Sequence, residues 1–257
     1  MTNKSSAGRQ AGIAFVTGAD RGLGLALTAR LLSKGWRVFA GQYMPDWPEL
    51  AALAAQHPGD RLTLVPLDVA SDASTRAVGQ MVGACTDRVD VLINNAGVLS
   101  SRDGPIGEAQ DYDEMHRMYN VNALGPLRVV EALLPLTDQS EKKRLCFVSS
   151  EAGSINRCTR TSWYGYCMSK TALNMAIKIL HNRLRPEGYT FRVYHPGWMR
   201  SYMRGVKSSS GDMEPEEAAV HALAYFLRSR TGDPHRRARN DEDRLVMRDW
   251  QGREWPW

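Results

Sequence analysis

Short apolar runs alternate with segments of helical periodicity from one end of the chain to the other. Ile13-Ala14-Phe15-Val16, Arg37-Val38-Phe39-Ala40, Leu62-Thr63-Leu64-Val65, Val91-Leu92-Ile93, Leu145-Cys146-Phe147-Val148 and Phe191-Arg192-Val193-Tyr194 read as strands. Leu245-Val246-Met247 is a candidate last strand. Helical patterns cover 22–33, 47–56, about 71–84, about 111–134, 162–185 and 215–228. The strands do not alternate apolar with polar residues, so each is expected to bury both faces. Buried strands separated by helices predict an α/β fold with a doubly wound parallel sheet of about seven strands and helices on both faces, of Rossmann type. In that architecture ligands sit at the carboxyl ends of the strands.

No linker, repeat or low-complexity block divides the pattern, so residues 12–257 read as one domain and residues 1–11 as a polar, frayed tail without the apolar core of a secretory signal. The 230–243 segment is polar and reads as a surface loop. Its basic run His235-Arg236-Arg237-Ala238-Arg239 is followed at once by Asp241, Glu242 and Asp243 and reads as solvated surface. A chain of 257 residues with 43% hydrophobic and 24% charged residues is ordinary for a globular protein. The net charge of +5 is mild and does not suggest nucleic acid. No apolar stretch is long enough to cross a bilayer. Cys85, Cys146, Cys158 and Cys167 form no CxxC pair and no metal-ligand spacing; Cys85 and Cys146 lie in apolar segments and are expected in the core. A cytoplasmic protein without a metal, a membrane or a nucleic-acid partner is the expectation.

Two local patterns carry chemistry. After the first strand comes Thr17-Gly18-Ala19-Asp20-Arg21-Gly22-Leu23-Gly24. Gly18 permits a tight turn, Gly22 lets backbone approach a pyrophosphate and Gly24 allows close helix packing, while the following helix offers its first amides to the anion. Farther on, Tyr166 has Lys170 four residues later, on the same helix face. An ammonium beside a phenol favours the phenolate and lowers a pKa that starts near ~10. Such a phenol can exchange a proton with an alcohol oxygen. Tyr164 has Met168 at that spacing and reads as pocket wall.

The glycine spacing, TGxxxGxG, resembles the short-chain dehydrogenase/reductase family, and further stations of that family follow in order. Asp68-Val69 ends the third strand, where the family's Asp meets the adenine ring; an Asp there could equally cap the next helix or stabilise a turn. Asn94-Asn95-Ala96-Gly97 follows the fourth strand, Asn122 lies in the long helix, Ser149-Ser150-Glu151-Ala152-Gly153 follows the fifth strand, and His195-Pro196-Gly197 follows the sixth. Pro196-Gly197-Trp198-Met199-Arg200-Ser201 and the Trp-rich ending are similar to a carbonyl-reductase branch close to the bacterial C-factor proteins.

The resemblance implies hydride transfer between a nicotinamide dinucleotide and a carbonyl or alcohol. Tyr166 would be the acid or base, Lys170 would lower its pKa and bind the nicotinamide ribose, Ser150 would hold the carbonyl oxygen, and Asn122 would hold a water of the proton relay. Cofactor contacts are implied for Gly18, Asp20, Arg21, Gly22, Leu23, Gly24, Gln42, Asp68, Val69, Asn95, Ala96, Gly97, Tyr166, Lys170, Pro196, Gly197 and Trp198, and a substrate pocket for Ile155, Trp163, Trp198 and Tyr202. The second strand ends Ala40-Gly41-Gln42-Tyr43 without a carboxylate, and Arg21 could pair with a 2′-phosphate, so NADP(H) is favoured over NAD(H). The Ser150–Tyr166 interval is longer than the family's commonest, so 156–162 is expected to loop out beside the pocket. A homodimer or homotetramer is implied. The competing reading is a dinucleotide-binding regulatory or signalling protein with little turnover.

Overall fold

The computed structural model describes residues 12–100, 104–203, 205–228 and 244–257. The expected tail at 1–11 and the whole polar segment 230–243, with its basic run, lie outside the described residues. The first six strands stand where the apolar runs place them: β1 (Ile13–Val16), β2 (Arg37–Gln42), β3 (Leu62–Pro66), β4 (Val91–Asn94), β5 (Arg144–Val148) and β6 (Thr190–His195). Two more follow, β7 (Met247–Asp249) and β8 (Glu254–Trp255). They form one sheet in the order β3-β2-β1-β4-β5-β6-β7-β8. All neighbours pair in parallel except β7 with β8.

The helices are α1 (Gly22–Ser33), α2 (Pro48–Ala55), α3 (Asp72–Gly83), α4 (Tyr112–Tyr119), α5 (Gly125–Asp138), α6 (Tyr164–Leu184) and α7 (Pro215–Phe226). Alternate strand residues feed two separate cores. Ala14 and Val16 of β1 pack with Leu27, Leu50 and Leu223 of α1, α2 and α7. Ile13 and Phe15 pack with Val78, Leu133 and Ile177 of α3, α5 and α6. Coverage of both faces is why the strand sequences show no polar alternation. The apolar stripe on α6 faces the sheet through Leu173, Ile177 and Leu184.

Three charged residues buried inside this frame have partners. Arg192 lies in an apolar strand yet is almost fully buried. Its Nε donates to Tyr225 O at 3.3 Å, and Arg144 Nη1 donates to Phe226 O at 2.7 Å. Both guanidinium groups therefore satisfy carbonyls at the end of α7, where the helix dipole favours a cation. Asp90, buried just before β4, accepts from Ile13 N at 2.8 Å and from Ser140 Oγ at 2.7 Å, tying the start of β1 to the loop after α5.

Three expectations change. The single helix expected over 111–134 is broken by a π-helical turn, Asn120–Leu124, between α4 and α5. Among the described residues there are eight strands rather than about seven, because β7 returns through Gly252, at φ 78°, to pair with two residues of β8. So short a strand leaves no apolar run to find. Cys146 is buried as expected, but Cys85 is exposed. It follows the end of α3, where its carbonyl accepts from Arg37 Nη1 at 3.1 Å.

Asp90→Ala is expected to cost about 2 kcal/mol, because it leaves buried donors without an acceptor. Urea unfolding at unchanged m-value measures this, and a loss below about 0.5 kcal/mol would remove Asp90 from the account.

Candidate active site

A cavity of about 860 Å³ opens at the carboxyl ends of the central strands. Sheet order places it where β1 is flanked by β2 on one side and β4 on the other, so successive connections leave to opposite faces and open a crevice. Its floor is the glycine loop. Gly18 and Gly22 have φ of 62° and 57°, in the region that favours glycine. A Cβ on Gly24 would stand 2.0 Å from Gly18 O. α1 begins at Gly22 with no side-chain cap and no acidic residue in its first turn. Uncapped amides and a cradle that any Cβ would fill fit a pyrophosphate.

Neighbouring loops are stitched to this floor. Thr17 Oγ1 accepts from Asn95 N and Ala96 N, both at 2.9 Å. Asn95 Nδ2 donates to Thr17 O at 2.9 Å and Gly18 O at 3.1 Å. Asn95 therefore shapes the loop with its side chain. Asp68 accepts from Ala70 N at 2.8 Å, which makes it a turn former, while Ser71 caps α3. Asp68 and Val69 also line the cavity.

Tyr166 and Lys170 stand at the inner wall, both nearly fully buried and both lining the cavity. Lys170 Nζ donates to Val148 O at 3.0 Å and lies 5.9 Å from the Tyr166 ring centroid. Burial pushes the Tyr166 phenol up to about 12, and a hydrogen bond with Ser150 pulls the other way. Burial pushes the Lys170 ammonium down to about 8. The expected lowering of the phenol by the ammonium is therefore reversed. Desolvation penalises both charged forms, and the ammonium is turned to the β5 carbonyl.

Ser150 Oγ also accepts from Ala152 N at 3.1 Å. Ser149 faces away and donates to Asn174 Oδ1 at 2.7 Å. Asn122, fully buried in the π turn, accepts from Val98 N at 2.8 Å and donates to Val98 O at 2.9 Å and Ser169 Oγ at 3.0 Å. Its side-chain amide binds protein and pins the loop after β4 to α6. A Cβ on Gly97 would stand 3.4 Å from Asn122 Oδ1 and 3.7 Å from Lys170 Nζ, so these two side chains converge there.

The other expected contacts divide. Asp20, Leu23, Ala96, Gly97, Pro196 and Tyr202 line the cavity. Gln42 does not, and its place is taken by Tyr43 and Met44. Gly197, at φ 82°, packs its backbone against Trp250 rather than facing the cavity. Ile155 and Trp198 are exposed at 71% and 62%, outside the wall. Trp163 packs edge to face on Tyr166 with centroids 6.2 Å apart. Its φ of 68° places it in the left-handed region just before α6. Arg21 lines the cavity too, and it donates to Gly205 O and Tyr202 O of the segment after β6. The Asp20 carboxylate accepts from Tyr43 N at 3.0 Å and Met44 N at 2.8 Å, which brings a negative charge to the end of β2 from another loop. Sequence spacing could not show this, because the two segments are far apart in the chain. Arg117 also lines the cavity, paired with Glu114 at 2.8 Å. Its i,i+3 spacing was visible, but not the face it occupies.

The short chain dehydrogenase family model matches residues 12–211. The chain belongs to this family. It is 40% identical over 173 residues to the C-signal protein of Myxococcus xanthus, a match covering 67% of this chain and 95% of that one. It is 31% identical over 210 residues to a Rhodococcus 1-hydroxy-2-glutathionyl-2-methyl-3-butene dehydrogenase, covering 80% of this chain and 86% of that one. The structure resembles an NADPH-bound carbonyl reductase from chicken fatty liver with a TM-score of 0.80 and 28% identity, covering 95% and 98% of the two chains. The short-chain dehydrogenase is thus an oxidoreductase that uses a nicotinamide dinucleotide. Among the described residues no helix is long and apolar enough to cross a membrane, and no group of side chains could hold a metal ion.

Lys170 links this site to pH. Below its folded pKa of about 8 the buried cation is penalised in full, and above its unfolded value of 10.5 there is no penalty. Stability is therefore expected to rise between pH 8 and 10, before free tyrosines ionise. In Lys170→Met that rise should be reduced; denaturant midpoints across this window test it, and an unchanged slope would refute the assignment.

Proposed function

We propose that this short-chain dehydrogenase is a carbonyl reductase or alcohol dehydrogenase using NADP(H), with Ser150, Tyr166, Lys170 and Asn122 as its site. The observation that carries this reading is a buried phenol, hydrogen-bonded to Ser150, on the wall of a cavity whose floor fits a pyrophosphate. A bound nicotinamide would supply or accept the hydride. Ser150 and Tyr166 orient the carbonyl oxygen between two hydroxyls. With its pKa pushed to about 12, Tyr166 is protonated at neutral pH, which suits delivery of a proton to a developing alkoxide. Lys170, held by Val148 O, restores the proton and helps hold the ribose, and Asn122 fixes the loop that frames both. Val98, Leu99, Met115, Trp163 and Met203 cluster around Tyr166, which suits an apolar carbonyl compound.

NADP(H) is favoured by the absence of a carboxylate among the residues that end β2 and by the NADPH-bound state of the chicken carbonyl reductase. Asp20 opposes a 2′-phosphate, so NADH is used as well, less efficiently. The four cysteines are free, which suits a cytoplasmic enzyme. Met168, Met175 and Ile179 are exposed along α6 and suit association into a homodimer or homotetramer. The likeness to the C-signal protein favours a second reading, a signalling protein that binds dinucleotide without turnover.

Tyr166→Phe is expected to lower turnover with a carbonyl panel by at least about 100-fold while leaving dinucleotide affinity nearly unchanged. Nicotinamide absorbance reads the turnover, and equal rates would overturn the acid assignment. Wild type that binds NADPH but never oxidises it would favour the signalling reading. Asp20→Asn is expected to raise the NADPH-to-NADH ratio of kcat/KM by about tenfold, by removing one charge near the phosphate site. A fall in that ratio would show that Asp20 does not oppose the phosphate.

A further inference from the structure

Arg21 makes contacts that dinucleotide binding does not require. Its Nη1 donates to Gly205 O at 3.0 Å and its Nη2 to Tyr202 O at 3.2 Å. Its guanidinium carbon lies 4.4 Å from the ring centroid of Trp47 and 5.3 Å from that of Tyr202. These two rings meet edge to face at 5.8 Å. Trp47 precedes α2, while Tyr202 belongs to the segment that leaves β6, so one side chain joins three remote parts of the chain. That segment lies directly on the glycine loop: a Cβ on Gly22 would stand 3.3 Å from Tyr202 Cδ2. Tyr202, Met203 and Gly205 line the same cavity as Gly18 and Gly22. The far end of the segment is held by Glu214, which pairs with Arg200 at 2.6 Å and Lys207 at 2.8 Å.

We propose that Arg21 is a latch that closes the segment after β6 over the phosphate-binding floor, and so sets the rate at which either nicotinamide dinucleotide leaves. The inference rests on the dinucleotide-binding reading of the cavity. Arg21 acts through Tyr202 and is a positioning residue. A planar fork that donates to two carbonyls while stacking on an aromatic ring needs arginine; lysine keeps the charge but not the geometry. A residue that instead paired with a 2′-phosphate would act on NADPH alone, and lysine would largely serve there.

Arg21→Lys and Tyr202→Leu test the latch from its two sides. In protein without dinucleotide, tryptic cleavage after the exposed Lys207, followed by mass spectrometry, is expected to be about tenfold faster in both variants than in wild type. With dinucleotide, stopped-flow displacement is expected to show NADPH and NADH leaving about tenfold faster, by the same factor for each. Unchanged cleavage in both variants overturns the latch whatever the cofactor. Unchanged release in Arg21→Lys, with Arg21→Ala weakening NADPH only, overturns it in favour of a phosphate contact. Wild type that binds neither dinucleotide overturns the release role together with the proposed function.

Discussion

Lys170 donates from a desolvated ammonium to the carbonyl of Val148, and this bond locks the middle of α6 to the carboxyl end of β5. β5 lies between β4 and β6, so that carbonyl stands beside the carboxyl end of β4 and the cation stands on the cavity wall. Burying a cation is unfavourable unless neighbours hold it, and here the protein holds it with a backbone oxygen. Its own pKa falls as a result, and the phenol beside it rises for the same reason. A site built this way keeps its hydroxyl neutral, as the proposed proton delivery requires.

Around that point the protein uses amides and hydroxyls as joints. Thr17 and Asn95 bind the first and fourth strand ends together, Asn122 fixes the loop beyond, and Ser149 anchors the fifth strand to α6 through Asn174. Each of these polar side chains is engaged with protein. The cavity therefore keeps its shape through many short bonds between loops that belong to different parts of the sequence.

Most of the fold was legible because buried parallel strands leave continuous apolar runs, and the glycine loop, Tyr166 and Lys170 were legible because their spacing has a mechanical reason. What was not legible depended on tertiary contacts. Arg21 was read as a partner for a phosphate, and its contacts with Trp47 and Tyr202 had no signal in the sequence. Asp20 was read as a cofactor contact in the glycine loop, but the sequence did not show that its carboxylate reaches the amides beyond the end of β2. The phenol's pKa followed burial, which the i,i+4 spacing does not encode. The π turn at Asn120–Leu124 has no signature in helical periodicity, yet it carries Asn122 to Val98.

The closing strand of the sheet has a bearing on self-association. β8 contributes only two residues and runs against its neighbour, so beyond it the sheet offers a very short rail of open amide and carbonyl groups. At the opposite border β3 ends on Pro66, which has no amide hydrogen to offer. The β8 rim gives an incoming chain little backbone to lengthen the sheet, and Pro66 removes one donor at the other. Runaway edge-to-edge growth is disfavoured at both borders by the architecture itself.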